Sequence, residues 1–350
     1  MSGYLIRRIL WMIPTIFAVL LITFVIMHAT PGGPWDVSPD SRTSDPRVQA
    51  ALDKAYGLDK PLYINPEAAQ KASAAGKDPI AVAQAFFDTQ FGNYLSNLSK
   101  GDLGPSYRFR GRRVQDVIAE APVNKPFYQS RFGTTIFLGV LAMLMALVIG
   151  FPLGLIAGLK QNTVVDNASL LVATIGYGIP SFVLGIFFIF VFAVWLGWIN
   201  VLEFDYWDRW QAWMLPALTL AIPTGAYVAR LTRSSVIEVM RQDYIRTARA
   251  KGLPERLVVF RHIIRNSMIP VVTFIGPALA GLVTGSFIIE SQFSVNGIGR
   301  LFVESINRRD YTMILALTII YAILVAVANL VVDIVYGFLD PRIKVGGGRT

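Results

Sequence analysis

The chain has 350 residues, 54% of them hydrophobic and 16% charged, with a net charge of +9 and a mean hydropathy of +0.51. Soluble domains average about 25% charged residues, so this composition excludes an ordinary soluble protein and indicates membrane spans joined by loops. The chain has no cysteine, which excludes disulfides, zinc-thiolate sites and thiol nucleophiles. Its two histidines, His28 and His262, are far apart in sequence, which argues against a His-based metal or catalytic site.

Six segments are apolar and long enough to cross a bilayer, which takes about 20 residues. The first follows Arg7 and Arg8 and is longer than the apolar region of a signal peptide, so we predict an uncleaved anchor whose N-terminus is cytoplasmic. The predicted spans cover residues 9–29, 134–159, 168–198, 214–231, 268–289 and 313–338. The corresponding divisions are an anchor at 1–30, an extracytoplasmic insertion at 31–131, a transmembrane core at 132–338 and a cytoplasmic tail at 339–350.

The insertion at 31–131 is polar and is predicted to be mainly helical. One helix begins with Asp45 as N-cap and Pro46 at the first helical position, and Gly57 ends it. Two further helices follow on either side of the Gly-Lys-Asp-Pro sequence at 76–79. We expect these helices to form a small extracytoplasmic cap.

Small residues and prolines interrupt the predicted spans, and each pattern has two interpretations. Glycines at helical spacing let helix backbones approach closely, either within one bundle, which we favour, or at a seam between subunits. Proline bends a helix, either as a static kink or beside a transport path. The residues concerned are Gly150, Gly154, Gly158, Gly281 and Gly285 for the first pattern, and Pro180 and Pro223 for the second.

Three polar residues near or within the predicted spans are candidates for the lining of a transport path. Asp333 follows Asn329 by one turn in the sixth span, and acids inside a membrane are functional candidates by default. An interhelical hydrogen bond near the inner end explains Asp333 equally well. Glu290, at the outer end of the fifth span, fits either substrate contact or simple interfacial exposure.

The most basic stretch of the chain lies between the fourth and fifth predicted spans. From Arg230 to Arg265 there are nine Lys and Arg residues and three acids. Short cytoplasmic loops hold such an excess, so the positive charge indicates topology and not nucleic-acid binding. Within this stretch, residues 243–251 are predicted to form a short helix that Gly252 ends, and Pro254 opens a second helix.

This basic loop, 232–267, resembles the cytoplasmic EAA loop of permease subunits of binding-protein-dependent ABC importers, and most closely the oligopeptide/dipeptide/nickel class. Gly252 stands where the motif has Gly, whereas Arg246 replaces its Glu, as is usual in this class. Further blocks resemble the same family, in order, from end to end. They are TPGGP at 30–34, YGLDKPL at 56–62, GDLGPS at 101–106, GFPLG at 150–154, ESQFS at 290–294, RDY at 309–311, NLVVD at 329–333 and DPR at 340–342.

The resemblance implies an all-α membrane protein with the fold of a type I ABC importer transmembrane subunit. Such a subunit has six transmembrane helices and a cytoplasmic coupling helix, here with a mainly helical extracytoplasmic insertion. It implies a prokaryotic cytoplasmic (inner) membrane location, with several passes, both termini in the cytoplasm and membrane lipid around the spans. The residues assigned to ATPase coupling are Asp243, Tyr244, Arg246, Thr247, Ala248, Arg249, Ala250, Lys251 and Gly252.

Within the coupling helix, residues at three-and-four spacing are predicted to share one face that seats in a groove of the ATPase. These residues are Tyr244, Thr247, Ala248 and Lys251. Arg246 and Arg249, which point elsewhere, are predicted to pair with acids of the ATPase or with anionic lipid.

The resemblance also implies partners and a division of labour. The expected partners are a second permease subunit, two nucleotide-binding ATPase subunits and an extracytoplasmic substrate-binding protein. This chain is expected to bind no cofactor or metal and to catalyse no reaction, since ATP and Mg²⁺ bind to the partner subunits. Its expected function is to form half of the path for di- or oligopeptides. Import of oligosaccharides or of a nickel chelate by the same machinery is the alternative.

Two functions of other classes are weighed against this one. A membrane-embedded enzyme needs a nucleophile and base or a metal motif, and the predicted spans contain neither. An ion-coupled secondary transporter predicts acids near the middle of spans and an inverted repeat, and neither is visible. The secondary transporter remains the alternative of a different class.

Overall fold

The computed structural model describes residues 2–35, 46–122, 124–198 and 206–339. Within those ranges all regular secondary-structure elements are helices. Contacts divide the chain into two units. The first unit comprises Met1–Thr15, Ala121–Leu301 and Tyr321–Thr350, and the second comprises Ile16–Glu120 and Phe302–Ile320.

The long apolar helices occupy the positions predicted for membrane spans. The first, second, fourth and sixth spans are the helices Ser2–Ala29, Arg131–Leu159, Met214–Met240 and Tyr311–Leu339. The third span consists of Val164–Gly178, Ser181–Phe188 and the π-helical segment Ile189–Trp195. The fifth consists of Glu255–Leu257, the π-helical segment Val258–Ile264, Arg265–Gly285 and Phe287–Gln292. A further helix, Ile298–Asn307, lies between the fifth and sixth spans.

The second and fourth spans pack against each other along their length. Three glycines of the second span lie so close to the fourth that an added Cβ would overlap its atoms. The contacts pair Gly150 with Gly225, Gly154 with Ala229, and Gly158 with Val236. Both numbers increase together, so the two helices run parallel. The structure therefore favours packing within one bundle for these glycines, whereas a Cβ on Gly281 would meet open space.

The third span is bent by 98° between its two helices, at the interruption predicted around Pro180. Pro180 has no N–H to donate to the carbonyl of Gly176, so it interrupts the helical hydrogen bonds. It also disfavours helical backbone in the preceding residue, and Ile179 is extended, with φ −88° and ψ 124°. The structure therefore confirms the predicted interruption and adds the size of the bend.

The bent third span still connects opposite ends of the two parallel helices. It begins at Val164, shortly after the second span ends. Beyond its other end, Trp207 Nε1 donates a hydrogen bond to Thr134 Oγ1 near the start of the second span, at 3.3 Å. Since the second and fourth spans are parallel, the chain between them must cross back. The bent pair is one crossing, and the prediction of six spans is confirmed.

The fourth and fifth spans extend further into the basic loop than the predicted bounds of 232–267. The fourth helix continues to Met240, and helical structure resumes at Glu255. The apolar run of the fourth span ends near Leu231, but helical backbone hydrogen bonds do not require apolar side chains. Charged residues therefore continue the helix past the predicted end of the span.

A buried ion pair joins the third span to the fourth. Asp166, whose side chain is 1% exposed, accepts hydrogen bonds from Nε and Nη2 of Arg233 at 2.5 and 2.8 Å. It also accepts one from the backbone N–H of Asn162 at 2.9 Å. Because the carboxylate is shielded from water, these donors replace the hydration that it loses. The pair fixes the start of the third span to the last turns of the fourth.

The second unit contains the insertion and confirms its mainly helical character. Its helices are Pro46–Tyr56, Pro66–Ala74, Pro79–Phe86, Gln90–Ser99 and Val114–Ala119. The predicted break at 76–79 is present, with Asp78 accepting a hydrogen bond from Ala81 N as the N-cap. Asp45 lies outside the described residues. The unit has an apolar core formed by Leu20, Phe24, Met27, Phe91, Tyr94, Tyr311, Leu315 and Ile319.

Asp310 joins two distant parts of the second unit. Its carboxylate accepts hydrogen bonds from Ser106 Oγ at 2.5 Å and from the backbone N–H groups of Tyr107 and Arg108. It also accepts one from Met313 N at 3.2 Å, so it caps the sixth span. Burial raises the pKa of Asp310 above its usual range, against the opposing effect of these donors. The blocks at 101–106 and 309–311 therefore meet in the fold.

Candidate functional site

The short helix predicted in the basic loop is present as Asp243–Ala250. It is amphipathic, and its apolar side packs on the C-terminal end of the fourth span and the N-terminal end of the fifth. Ile245 is fully buried and Ala248 is nearly so. Their neighbours in the same apolar cluster are Val236, Val258 and Ile263. We name Asp243–Ala250 the coupling helix, and these contacts fix it to the bundle.

The other predicted coupling residues face away from the bundle. The exposed ones are Asp243, Tyr244, Arg246, Thr247, Arg249, Ala250, Lys251 and Gly252. The face predicted for contact with an ATPase needs one correction, because Ala248 lies on the buried side with Ile245. Partial burial raises the pKa of Tyr244, whose ring is 43% exposed. The exposed side is thus basic, with one aromatic ring.

Gly252 ends the coupling helix in the left-handed region, with φ +73°. Only glycine adopts this conformation without steric cost. The backbone N–H of Gly252 donates to the carbonyl of Arg249 at 2.9 Å, and no atom lies within 4 Å of the position of an added Cβ. The glycine is therefore needed for its backbone conformation and not to make room for a neighbour of the same chain.

An ion pair missed by the sequence analysis spans this turn. Arg249 Nε and Nη2 donate to the two carboxylate oxygens of Glu255 at 3.1 and 2.7 Å. This two-point contact raises the pKa of Arg249 further above its usual range. The prediction that Arg249 pairs with an ATPase or lipid must therefore account for an internal partner. Arg246 is more open, since its side chain is 74% exposed and its ion pair with Asp243 is 3.5 Å long.

The Arg249–Glu255 pair joins the end of the coupling helix to the start of the fifth span. We expect Arg249→Glu and Glu255→Arg each to lower transport about fivefold, which corresponds to about 1 kcal/mol for an exposed pair. The double variant, which restores the pair with reversed charges, should recover most of the transport. Uptake and ATP hydrolysis in proteoliposomes measure this. A double variant no better than the worse single variant would contradict it.

The path candidate Glu290 is placed in a closed structural environment. Its side chain has no exposed surface. Ser286 Oγ donates to it at 2.7 Å, and the backbone N–H groups of Gly299 and Arg300 donate at 2.8 and 3.1 Å. The carboxylate therefore binds the first turn of Ile298–Asn307, where unpaired N–H groups attract negative charge. The structure contradicts the predicted interfacial exposure of Glu290. Contact between Glu290 and substrate stays a prediction.

The other two path candidates lie in the sixth span. Asn329 is half-buried. The side chain of Asp333 lies outside the described residues. Their assignment to the path stays a prediction. Among the described residues, no group of three His, Asp or Glu side chains is placed to hold a metal ion.

Comparison with known proteins identifies the family. Residues 150–345 match the model for the "Binding-protein-dependent transport system inner membrane component". The dipeptide transport system permease protein DppB of Bacillus subtilis is 35% identical over 344 residues, which cover 98% of each chain. The oligopeptide permease OppB of Salmonella typhimurium is 36% identical over 344 residues, 98% of this chain and all of that one. AppB of Bacillus subtilis, also an oligopeptide permease, is 34% identical over 351 residues.

These matches confirm the predicted family, and the helical architecture confirms the predicted fold class of a type I importer transmembrane subunit. The matching relatives are transport system permease proteins, and the apolar spans of this chain agree with a family of inner membrane components. The chain belongs to the family of inner membrane components of binding-protein-dependent transport systems.

Proposed function

We propose that this chain forms half of the translocation path of an ATP-driven importer of di- and oligopeptides. The observation that carries the proposal is the identity of 34–36% to dipeptide and oligopeptide permeases over 98% of the chain. A match confined to the coupling loop would support only a shared motor. A match that includes every span supports a shared class of cargo as well.

The proposed complex contains a second permease subunit, two nucleotide-binding subunits and an extracytoplasmic binding protein. This chain supplies a bundle of apolar spans and one short basic helix exposed for contact. Ile245 and Ala248 of that helix are buried against the fourth and fifth spans. A displacement of the helix therefore moves the spans as well. ATP and Mg²⁺ are held by the nucleotide-binding subunits, and this chain contributes no catalytic group.

The proposed orientation in the cytoplasmic membrane places the coupling helix and both termini inside the cell. The support is the excess of nine basic residues over three acids between Arg230 and Arg265. The Asp166–Arg233 pair then lies at the cytoplasmic end of the bundle, and the contact between Trp207 and Thr134 lies at the outer end.

The test is uptake of a radiolabelled dipeptide into proteoliposomes that contain this chain with its four partners. We expect uptake that requires ATP and the binding protein and persists when ionophores collapse the ion gradients. Uptake driven by a proton or sodium gradient without ATP would favour a secondary transporter instead. Uptake of an oligosaccharide or a nickel chelate, but of no peptide, would retain the machinery and replace the cargo.

A further inference from the structure

The fourth span, Met214–Met240, has two faces of different chemistry. The face against the second span carries Gly225, Ala229, Thr232 and Val236 and is buried. The opposite face is exposed or half-buried at helical spacing and is polar. It carries Thr224, Tyr227, Arg230, Ser234 and Glu238. The hydroxyls of Thr224 and Ser234 donate to carbonyls of their own helix. Lipid chains offer no partner for the phenol of Tyr227 or the guanidinium of Arg230, so this part of the face belongs against water, cargo or protein.

Arg230 is the charged group of this face that lies deepest in the membrane. At roughly 1.5 Å per residue, it lies about 24 Å along the helix from Met214 at the outer end. That depth is within the hydrocarbon core, which is about 30 Å thick. A charge that faces lipid costs about 2.5–3.5 kcal/mol at the bilayer centre and less toward the boundary. No carboxylate among the described residues pairs with Arg230.

One aromatic ring contacts this guanidinium, and two further rings from neighbouring spans continue from that ring. Its Cζ lies 5.2 Å from the ring centre of Tyr177 on the third span. The ring of Tyr177 is 54% exposed and lies 6.1 Å from that of Tyr227 on the fourth span. Tyr227 in turn lies 4.4 Å from Phe274 on the fifth span. The rings form an aromatic wall beside one cation that has no described counter-ion.

We propose that Arg230, with the wall of Tyr177, Tyr227 and Phe274, binds the C-terminal carboxylate of the transported peptide inside the translocation path. This proposal rests on the proposed function. A guanidinium above a tyrosine ring uses its flat face for that contact, and its N–H groups remain at the edge for a two-point bond to a carboxylate. The aromatic rings contact apolar side chains through buried surface and not through directed bonds. Such contacts suit peptides of varied sequence. A terminal carboxylate is the anionic group that all such peptides share, whatever their side chains.

The test compares one peptide as the free acid and as the C-terminal amide, both with saturating binding protein, in proteoliposomes with ATP. We expect Arg230→Ala to lower uptake of the free acid by roughly tenfold or more, the loss typical of a charged hydrogen bond. Uptake of the amide should change little. Arg230→Lys should lie between, because lysine keeps the charge and loses the two-point geometry. Arg110→Ala, an exposed arginine of the insertion, is the matched control and should leave both rates unchanged.

A second measurement does not depend on whether the binding protein accepts the amide. A free-acid peptide with a benzophenone at its penultimate position should crosslink to Tyr177 or Tyr227 during ATP-driven turnover, and less so in Arg230→Ala. Absence of that crosslink would overturn the proposal. So would an equal loss of acid and amide uptake in Arg230→Ala, which would assign Arg230 to a neighbouring subunit. If the unaltered transporter moves neither peptide, the proposed function itself fails.

Discussion

Gly252→Val is expected to lower ATP-driven peptide uptake by about tenfold or more while the protein still assembles in the membrane. A β-branched residue at φ +73° costs about 1–2 kcal/mol, so the turn after the coupling helix shifts to relieve the strain. The bundle is not disturbed directly, since among the described residues no atom beyond the immediate chain neighbours of Gly252 lies within 4 Å of the added Cβ. Uptake and ATP hydrolysis, both normalised to the amount of protein in the membrane, measure the effect.

Gly57→Val is the matched control. Gly57 also follows a helix, has φ +71° and has open space around an added Cβ, but it lies in the insertion. The local strain is therefore the same, and uptake should stay close to that of the unaltered protein. Equal losses in the two variants would assign the effect to folding. Normal uptake in Gly252→Val would remove the coupling helix from the mechanism.

Asp166→Ala is expected to destabilise the bundle by about 3–5 kcal/mol, because it leaves the guanidinium of Arg233 partly buried without its partner. The loss should appear as a markedly lower thermal unfolding midpoint in detergent and as less protein in the membrane. Replacing both partners, as in Asp166→Leu with Arg233→Met, should recover much of the stability. Two apolar side chains carry no charge that needs compensation.

The control for this prediction is a one-point ion pair at the surface. Arg112 and Glu120 are 3.0 Å apart, and their side chains are 40% and 41% exposed. Arg112→Ala should cost only about 0–1 kcal/mol, since water solvates the remaining carboxylate. A small effect in Asp166→Ala, similar to that of Arg112→Ala, would show that the buried pair is not needed for the packing of the spans.

The sequence alone predicts those features of the fold that depend on residues close together in the chain. Apolar length predicts the spans, and Gly252 with Pro254 predicts both ends of the turn after the coupling helix. The contact between Asp166 and Arg233 is not local, since two spans separate the residues, and no pattern in the chain pairs them. The bend at Pro180 was anticipated as an interruption, but its angle depends on the packing of both halves. Arg249 and Glu255 could have been paired, because an acid just beyond a helix stop often returns to that helix.

The residues that line the path were harder to predict. The sequence shows that a charged residue is present, but it does not show where the side chain points. Glu290 qualified as an acid near a span, yet its carboxylate is used by the backbone of the next helix. Arg230 was counted among the loop charges that set topology. Its position on the polar face of a span, over the ring of Tyr177, follows only from the packing of the third and fourth spans.

The bend of the third span has a consequence for the assembled transporter. Gly176, just before the bend, lies against Ile222 and Ala226, about 12–18 Å along the fourth span from Met214 and so near mid-membrane. Pro180 leaves carbonyl oxygens there without helical donors, and Gly178 and Pro180 are exposed in the isolated subunit. Hydrocarbon cannot solvate bare carbonyls. This corner must therefore be turned toward a neighbouring subunit or a hydrated lumen, which fixes how the subunit is rotated within the complex.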